Sequence, residues 1–270
     1  MTQKRQDAQA GQSAWGETSA AVIKAKAAAG AILILPIGST EQHGPHLPTG
    51  VDYLLVSEVA RRTAAALEAS GVPALVAPVM PFGLADHHMA FGGTFTLDEA
   101  AFRAVLAGLV RSGQRQGFAK IVLLNGHGGN IHAVISAAAE LSDALDLSVV
   151  ACTYWQAAPG FAQILEDQTT VQHACEAETS MMLAIAPDLV ETSQFAAAIP
   201  PNGPFVLSEP AGIVRRRPFE FYTPTGVMGD PRRATAQKGE ALLNEAVRSL
   251  AATFGDPAFW QREAPKPILR

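Results

Sequence analysis

The chain has 270 residues, 48% of them hydrophobic and 17% charged, which suits one large folded α/β domain and excludes a disordered chain. A net charge of -5 without a basic run gives no reason to expect nucleic acid as a partner, and Arg215-Arg216-Arg217 reads as a solvated loop. No apolar run reaches the ~20 residues of a membrane span, so no membrane association is expected.

Residues 1–14 read as a flexible N-terminal arm, 15–260 as a single domain and 261–270 as a C-terminal tail. The first dozen residues are polar and lack the apolar core of a signal peptide. Two cysteines, Cys152 and Cys175, do not make a disulfide framework. A cytoplasmic location is the expectation.

Residues Ala20–Ala29 are alanine-rich and predict a helix stopped by Gly30. Ala31–Ile37 is an apolar strand. Glu41–Gly50 is a loop held by Gly44, Pro45, Pro48 and Gly50. Val51–Ser70 has apolar residues at helical spacing, and Ala74–Val79 predicts a second strand. A loop rich in His, Phe and Gly runs from Pro81 to Thr94 and holds His87 and His88. Leu97–Gly113 is a helix, with Thr96 as its expected cap. Lys120–Leu124 is a short apolar strand, Asn125–Asn130 a glycine-rich turn, Ile131–Asp146 a helix and Leu147–Tyr154 a strand. Gln172–Ala186 reads as a helix with Glu176 and Glu178 in its first turns. Pro200–Pro231 is rich in Pro and Gly and is expected to wrap the site or an interface. Arg233–Phe254 is the final helix. Continuous apolar strands alternating with helices predict an α/β fold with a parallel sheet covered on both faces.

In such sheets ligands bind beyond the carboxyl ends of the strands. Glu41, His43, His88 and His127 all follow predicted strands. Glu41 and His43, with Asp52 close behind, offer a first set of ligands for a divalent metal. Adding His127, His173 and Glu178 gives more oxygen and nitrogen ligands than one zinc needs, which points to two metals. A carboxylate such as Asp52 can bridge them. The turn Asn125-Gly126-His127-Gly128-Gly129-Asn130 lacks a phosphate-loop lysine and dinucleotide spacing. Gly128 and Gly129 leave open space and free N–H groups for a substrate oxyanion. His46 reads as structural or as a partner of a ligand. His132 reads as a helix-start residue. Tyr154 and Trp155 read as pocket wall or packing. Cys175 raises a thiol-hydrolase alternative.

Three segments together resemble the creatininase family of creatinine amidohydrolase-like hydrolases. They are Leu35–Pro48 with Asp52, Asn125–Asn130, and His173-Ala174 with Glu178-Thr179-Ser180; Thr225-Gly226-Val227 and Gly229-Asp230-Pro231 extend the match. The resemblance implies a three-layer α/β/α sandwich with a central, mostly parallel sheet. It implies two divalent ions, zinc or manganese with iron as a third option. Glu41 and His127 would bind one, His43 the other, and Asp52 both. Creatinine-hydrolysing members place the remaining ligand, a Glu, in the glycine-rich turn where this chain has Gly129. Glu178 is the expected substitute. Those members also carry a tryptophan lid before the histidine matching His173, whereas Gln168–Gln172 contains none. Other members deformylate pyrimidine precursors or trim a peptide in cofactor maturation.

The expected activity is hydrolysis of a non-peptide amide or cyclic amide of a small molecule by a metal-activated water. His173 would give the leaving nitrogen its proton. A deformylase or small peptidase is the alternative, and an inactive scaffold a further one. The resemblance also implies a homo-oligomer, a hexamer above all.

Overall fold

A computed structural model describes residues 13–200 and 217–261. The predicted C-terminal tail apart from Gln261, the N-terminal arm apart from Ser13 and Ala14, and Arg215-Arg216 lie outside the described residues.

Four strands form one sheet: β1 (Ile32–Ile37), β2 (Ala74–Val76), β3 (Lys120–Asn125) and β4 (Ser148–Thr153). Their order is β2-β1-β3-β4 and every pairing is parallel. Ile32 stands opposite Ala74 on one side and Lys120 on the other, and Leu123 opposite Ala151. β1 is buried along its whole length, the mark of a strand covered on two faces.

Side-chain alternation sorts the core into two halves. Ile32, Ile34, Val122 and Leu124 meet helices α2 (Val51–Ala69), α5 (Glu176–Ile185) and α6 (Ala236–Gly255). Leu33, Leu35, Ile37, Ile121 and Leu123 meet α1 (Ala20–Ala28), α3 (Glu99–Arg115) and α4 (Ile131–Leu145). The result is a three-layer α/β/α sandwich. Each fully buried Ile, Leu or Val contributes roughly 1.5–3 kcal/mol, so a slip of one residue in any strand would exchange both cores and is strongly opposed.

Most element ends lie within one residue of those expected; the end of β2, the starts of α3, α5 and α6, and the end of α3, which runs on to Arg115, do not. β2 ends at Val76, ahead of Pro78, and the chain rejoins β1 only through the bridge of Met80 to Ile37. The outer edge of β2 is covered instead by Ala14, which bridges Val76. Helix α3 is capped by Asp98, whose side chain accepts from the Ala101 amide at 2.7 Å, and not by Thr96. The Thr96 hydroxyl accepts from the Ala85 amide at 3.0 Å and is no longer free to cap. Helix α5 begins at Glu176 and not at Gln172, because Ala174 adopts a left-handed φ of 54° that no helix continues through. Helix α6 begins after its cap Thr235, and Pro231–Arg233 form a separate 3-10 turn.

Candidate metal centre

From the end of β1 the chain runs to β2 on one side of it, and then crosses to β3 on the other. This reversal opens a crevice beyond the carboxyl ends of β1 and β3. Glu41 and His43 arrive there from β1, and His127 from β3. Asp52 comes from the first turn of α2, where the positive end of the helix favours a carboxylate. Glu178 comes from the first turn of α5.

The two central imidazoles are held by backbone carbonyls. His43 Nδ1 lies 3.1 Å from the Glu41 carbonyl oxygen and donates to it, which turns Nε2 inward. That Nε2 lies 3.3 Å from Asp52 Oδ1 and 3.8 Å from Glu178 Oε2. His127 Nε2 donates to the Leu84 carbonyl at 3.2 Å, leaving Nδ1 3.1 Å from both Glu41 Oε2 and Asp52 Oδ2. Asn125 clamps the His127 backbone from both sides, accepting from its amide and donating to its carbonyl. Such partners fix ring orientation and tautomer at metal sites.

Among the described residues three groups can each hold a metal ion: Glu41–Asp52–His127, His43–Asp52–Glu178 and Glu41–His43–His173. Asp52 is common to the first two. Both Glu41 oxygens, His43 Nε2 and Asp52 Oδ2 are buried and lack a hydrogen-bond partner. Buried acceptors facing one another at this range require a cation or a proton between them. Ligand atoms ~2.1 Å from one tetrahedral ion stand roughly 3.4 Å apart, which these spacings match. The donor set thus fits two divalent ions.

The protonation pattern agrees. Burial alone would lower His43, but the carboxylates of Asp52, Glu178 and Glu41 outweigh it and hold the imidazole at about 9. His127 is held well above its usual value by Glu41 and Asp52, against the effect of burial. Burial raises Glu178 to about 8, and burial likewise raises Glu41. Burial would raise Asp52 too, but His43 and His127 bring it down to about 2. Without metal the pocket therefore holds protons on His43 and Glu178 that an incoming ion must expel. We expect the apparent zinc affinity to weaken roughly tenfold or more per pH unit below pH 8. Competition against a chelator at several pH values measures this, and a flat profile would refute it.

His173 lies outside the helix, just before α5. Its Nε2 donates to the Gln42 carbonyl at 2.7 Å, and its Nδ1 stands 3.4 Å from Glu41 Oε1. Glu178 Oε2 accepts from the Ala174 amide at 2.6 Å, so the left-handed turn at Ala174 links His173 to Glu178. Gly129 cannot house a ligand side chain without a shift. A Cβ there would lie 2.4 Å from the Leu84 carbonyl oxygen and 2.5 Å from His127 Nε2. Glu178, from α5, joins His43 and Asp52 instead.

Four residues that sequence reasoning left open are now placed. His88 Nε2 stands 3.3 Å from Glu41 Oε1, and burial, with the neighbouring His87, lowers its pKa to about 2. His46 pairs with Thr179 Oγ1 at 3.0 Å and belongs to none of the ligand groups. His132 is exposed on α4. The Cys175 thiol is buried, which pushes it up to about 12, so it does not serve as a nucleophile near neutral pH.

The centre opens into a cavity of about 180 Å³ walled by Gly128, Gly129, Trp155, Val171 and Phe219, with His87 and His88. Tyr154 packs in the core instead. Phe219, whose ring lies 4.2 Å from His88, carried no periodicity or motif and was missed. It lies in the Pro- and Gly-rich segment expected to wrap the site. A second cavity of about 600 Å³ shares His87, Gly129 and Phe219 with the first and extends to Glu99 and Tyr222.

A parallel α/β sandwich with two carboxylate–imidazole groups sharing one aspartate is the frame of a metal-binding hydrolase. Residues 16–254 match the creatininase family, described as creatinine amidohydrolase, and the chain belongs to it. It is 32% identical over 235 residues to the mycofactocin precursor peptide peptidase of Mycobacterium tuberculosis (strain ATCC 25618 / H37Rv), covering 83% of this chain and 86% of that one. It is 31% identical over 258 residues to the creatinine amidohydrolase of Pseudomonas putida, covering 89% and 94%. A crystal structure of creatinine amidohydrolase superposes with a TM-score of 0.76 at 29% identity, covering 90% of this chain and 96% of that one. Related creatininase structures include a manganese form and a Zn-Zn form. The chain is thus a hydrolase, related to a peptidase and an amidohydrolase, both of which cleave C–N bonds. No helix among the described residues is long and apolar enough to cross a membrane.

Proposed function

We propose that this protein is a binuclear-metal amidohydrolase. Glu41 and His127 hold one ion, His43 and Glu178 the other, and Asp52 both. The observation that carries this reading is the pair of ligand groups joined at Asp52. Zinc or manganese suits mixed nitrogen and oxygen donors, and both occur in related structures. Two such ions supply a nucleophilic water at neutral pH and polarise the scissile carbonyl. The chain's own groups do the rest. His173 Nδ1 takes and returns the proton that the leaving nitrogen needs, while Nε2 stays bonded to Gln42. Gly128, where a Cβ would meet nothing within 4 Å, leaves the carbonyl side open to the substrate, and the crowded Gly129 lines the same cavity with its backbone. Trp155, Val171 and Phe219 keep bulk water from the reacting group.

Elemental mass spectrometry tests the centre. Wild type should carry about two ions per chain and Glu178→Ala about one. A variant that still holds two would remove Glu178 from the ligand set. His173→Ala should keep both ions and lose roughly 10²–10⁴-fold in kcat. Unchanged turnover would end its role as proton carrier.

The outer cavity favours a second reading, a small peptidase. A compact cyclic amide fills the inner cavity alone, whereas a short peptide would also occupy the larger one. The likeness to a precursor peptide peptidase supports it. Comparing kcat/KM for creatinine, small formamides and tri- to hexapeptides separates the readings. A homo-oligomer, hexameric by family likeness, accords with the exposed pair Phe82 and Phe95. Light scattering on the eluting protein gives its mass. The free thiols Cys152 and Cys175 accord with the cytoplasm.

A further inference from the structure

Gln42 sits between two proposed ligands in the sequence, and it is buried. Its Oε1 accepts from the Gly44 amide at 2.9 Å, and its Nε2 donates to the Gly226 carbonyl at 3.1 Å. Both partners are backbone groups of fixed polarity, so the orientation of the side-chain amide is settled. One hydrogen on Nε2 remains. Two ring nitrogens are within reach, His88 Nδ1 at 2.8 Å and His173 Nε2 at 3.1 Å.

His173 Nε2 is also 2.7 Å from the Gln42 backbone oxygen, an atom that can only accept. His173 Nε2 therefore carries a hydrogen and cannot receive a second. The remaining Gln42 hydrogen goes to His88 Nδ1. That nitrogen is then bare, and the His88 hydrogen sits on Nε2, facing Glu41 Oε1 at 3.3 Å.

We propose that Gln42 is a positioning residue whose side-chain amide and backbone carbonyl set the tautomers of His88 and His173. His88 then presents its Nε2 hydrogen, rather than a lone pair, to the buried Glu41 carboxylate 3.3 Å away. His173 keeps Nδ1 as the ring atom free to move a proton. The tautomers follow from hydrogen-bond logic alone, and only their effect on turnover rests on the hydrolase reading above.

Long-range proton–nitrogen correlation spectra of the zinc-loaded, histidine-labelled protein read the tautomers directly. Resonances are assigned with His88→Asn and His173→Asn. In wild type both rings should be protonated at Nε2. Gln42→Glu puts an acceptor opposite His88 Nδ1, so His88 should move its hydrogen to Nδ1, and kcat should fall roughly 10–100-fold with both ions retained. Gly226→Ala reaches the same amide from the other side. Its Cβ would lie 2.1 Å from Gln42 Oε1, at a φ of 76° that already disfavours a side chain. It should disturb the His88 tautomer and lower kcat in the same direction.

A wild-type spectrum with His88 protonated at Nδ1 overturns the proposal without any variant. So does a folded Gln42→Glu protein in which His88 keeps its Nε2 hydrogen. A protein with the expected tautomers that hydrolyses no amide would overturn the hydrolase reading and leave the assignment of Gln42 standing.

Discussion

Asp52→Asn should strip both metal ions and lower kcat/KM roughly 10³-fold or more, the equivalent of several kcal/mol of lost charge stabilisation. The side chain keeps its size, and the change removes one negative charge. That charge faces His43 Nε2 through Oδ1 and His127 Nδ1 through Oδ2. No other residue stands in both the Glu41–Asp52–His127 and His43–Asp52–Glu178 groups. Glu178→Ala, by contrast, should remove one ion, so the two variants separate a shared ligand from an unshared one. Elemental analysis together with steady-state kinetics gives both readouts. If Asp52→Asn still held two ions, the shared ligand would have to be sought elsewhere. The same carboxylate affects the metal-free fold. Its pKa is held down at about 2, so its contribution is full above its ordinary value near 3.8 and is lost as pH falls through 2.

Gly239→Ala should destabilise the metal-free protein by about 3 kcal/mol, a fall in Tm of roughly 6–12 °C. Helices α5 and α6 pack backbone against backbone there. A Cβ on Gly239 would lie 1.9 Å from the Ser180 carbonyl oxygen and 2.8 Å from the Met181 amide nitrogen. Both are backbone atoms, so no side chain can swing aside and the helices must part. The same movement would shift Glu178, two residues before Ser180, and weaken the second ion. Thermal melts with and without added zinc measure both effects. An unchanged Tm would show that the two helices tolerate separation.

The strands were legible because each is an apolar run that needs no partner to be recognised, as in Ile32–Ile37. Glu41, His43, Asp52 and His127 were legible because the chain sets them just past those strands or at a helix start. Other features were hidden for physical reasons. The start of α5 depends on a left-handed alanine, and no residue preference announces one. The α3 cap lay between Thr96 and Asp98, both good capping residues, and the choice was made by Ala85, distant in sequence. Sequence could not separate His87 from His88, because only the three-dimensional approach of Gln42 and Glu41 distinguishes them. Phe219 lines the pocket from a stretch whose sequence carries no period at all.

The two ligand groups differ in how much of the chain they need. Glu41, Asp52 and His127 are all present once the third strand has been made, whereas the other group waits for Glu178. On the proposed two-ion centre, the ligands of the first ion would all be made while the C-terminal helices are still unmade. A second ion bound as proposed would tie α5 to the finished sheet and so join the late part of the chain to the early part. Metal supply during translation would then act on folding in two stages, with the later stage reporting that the whole sandwich has closed.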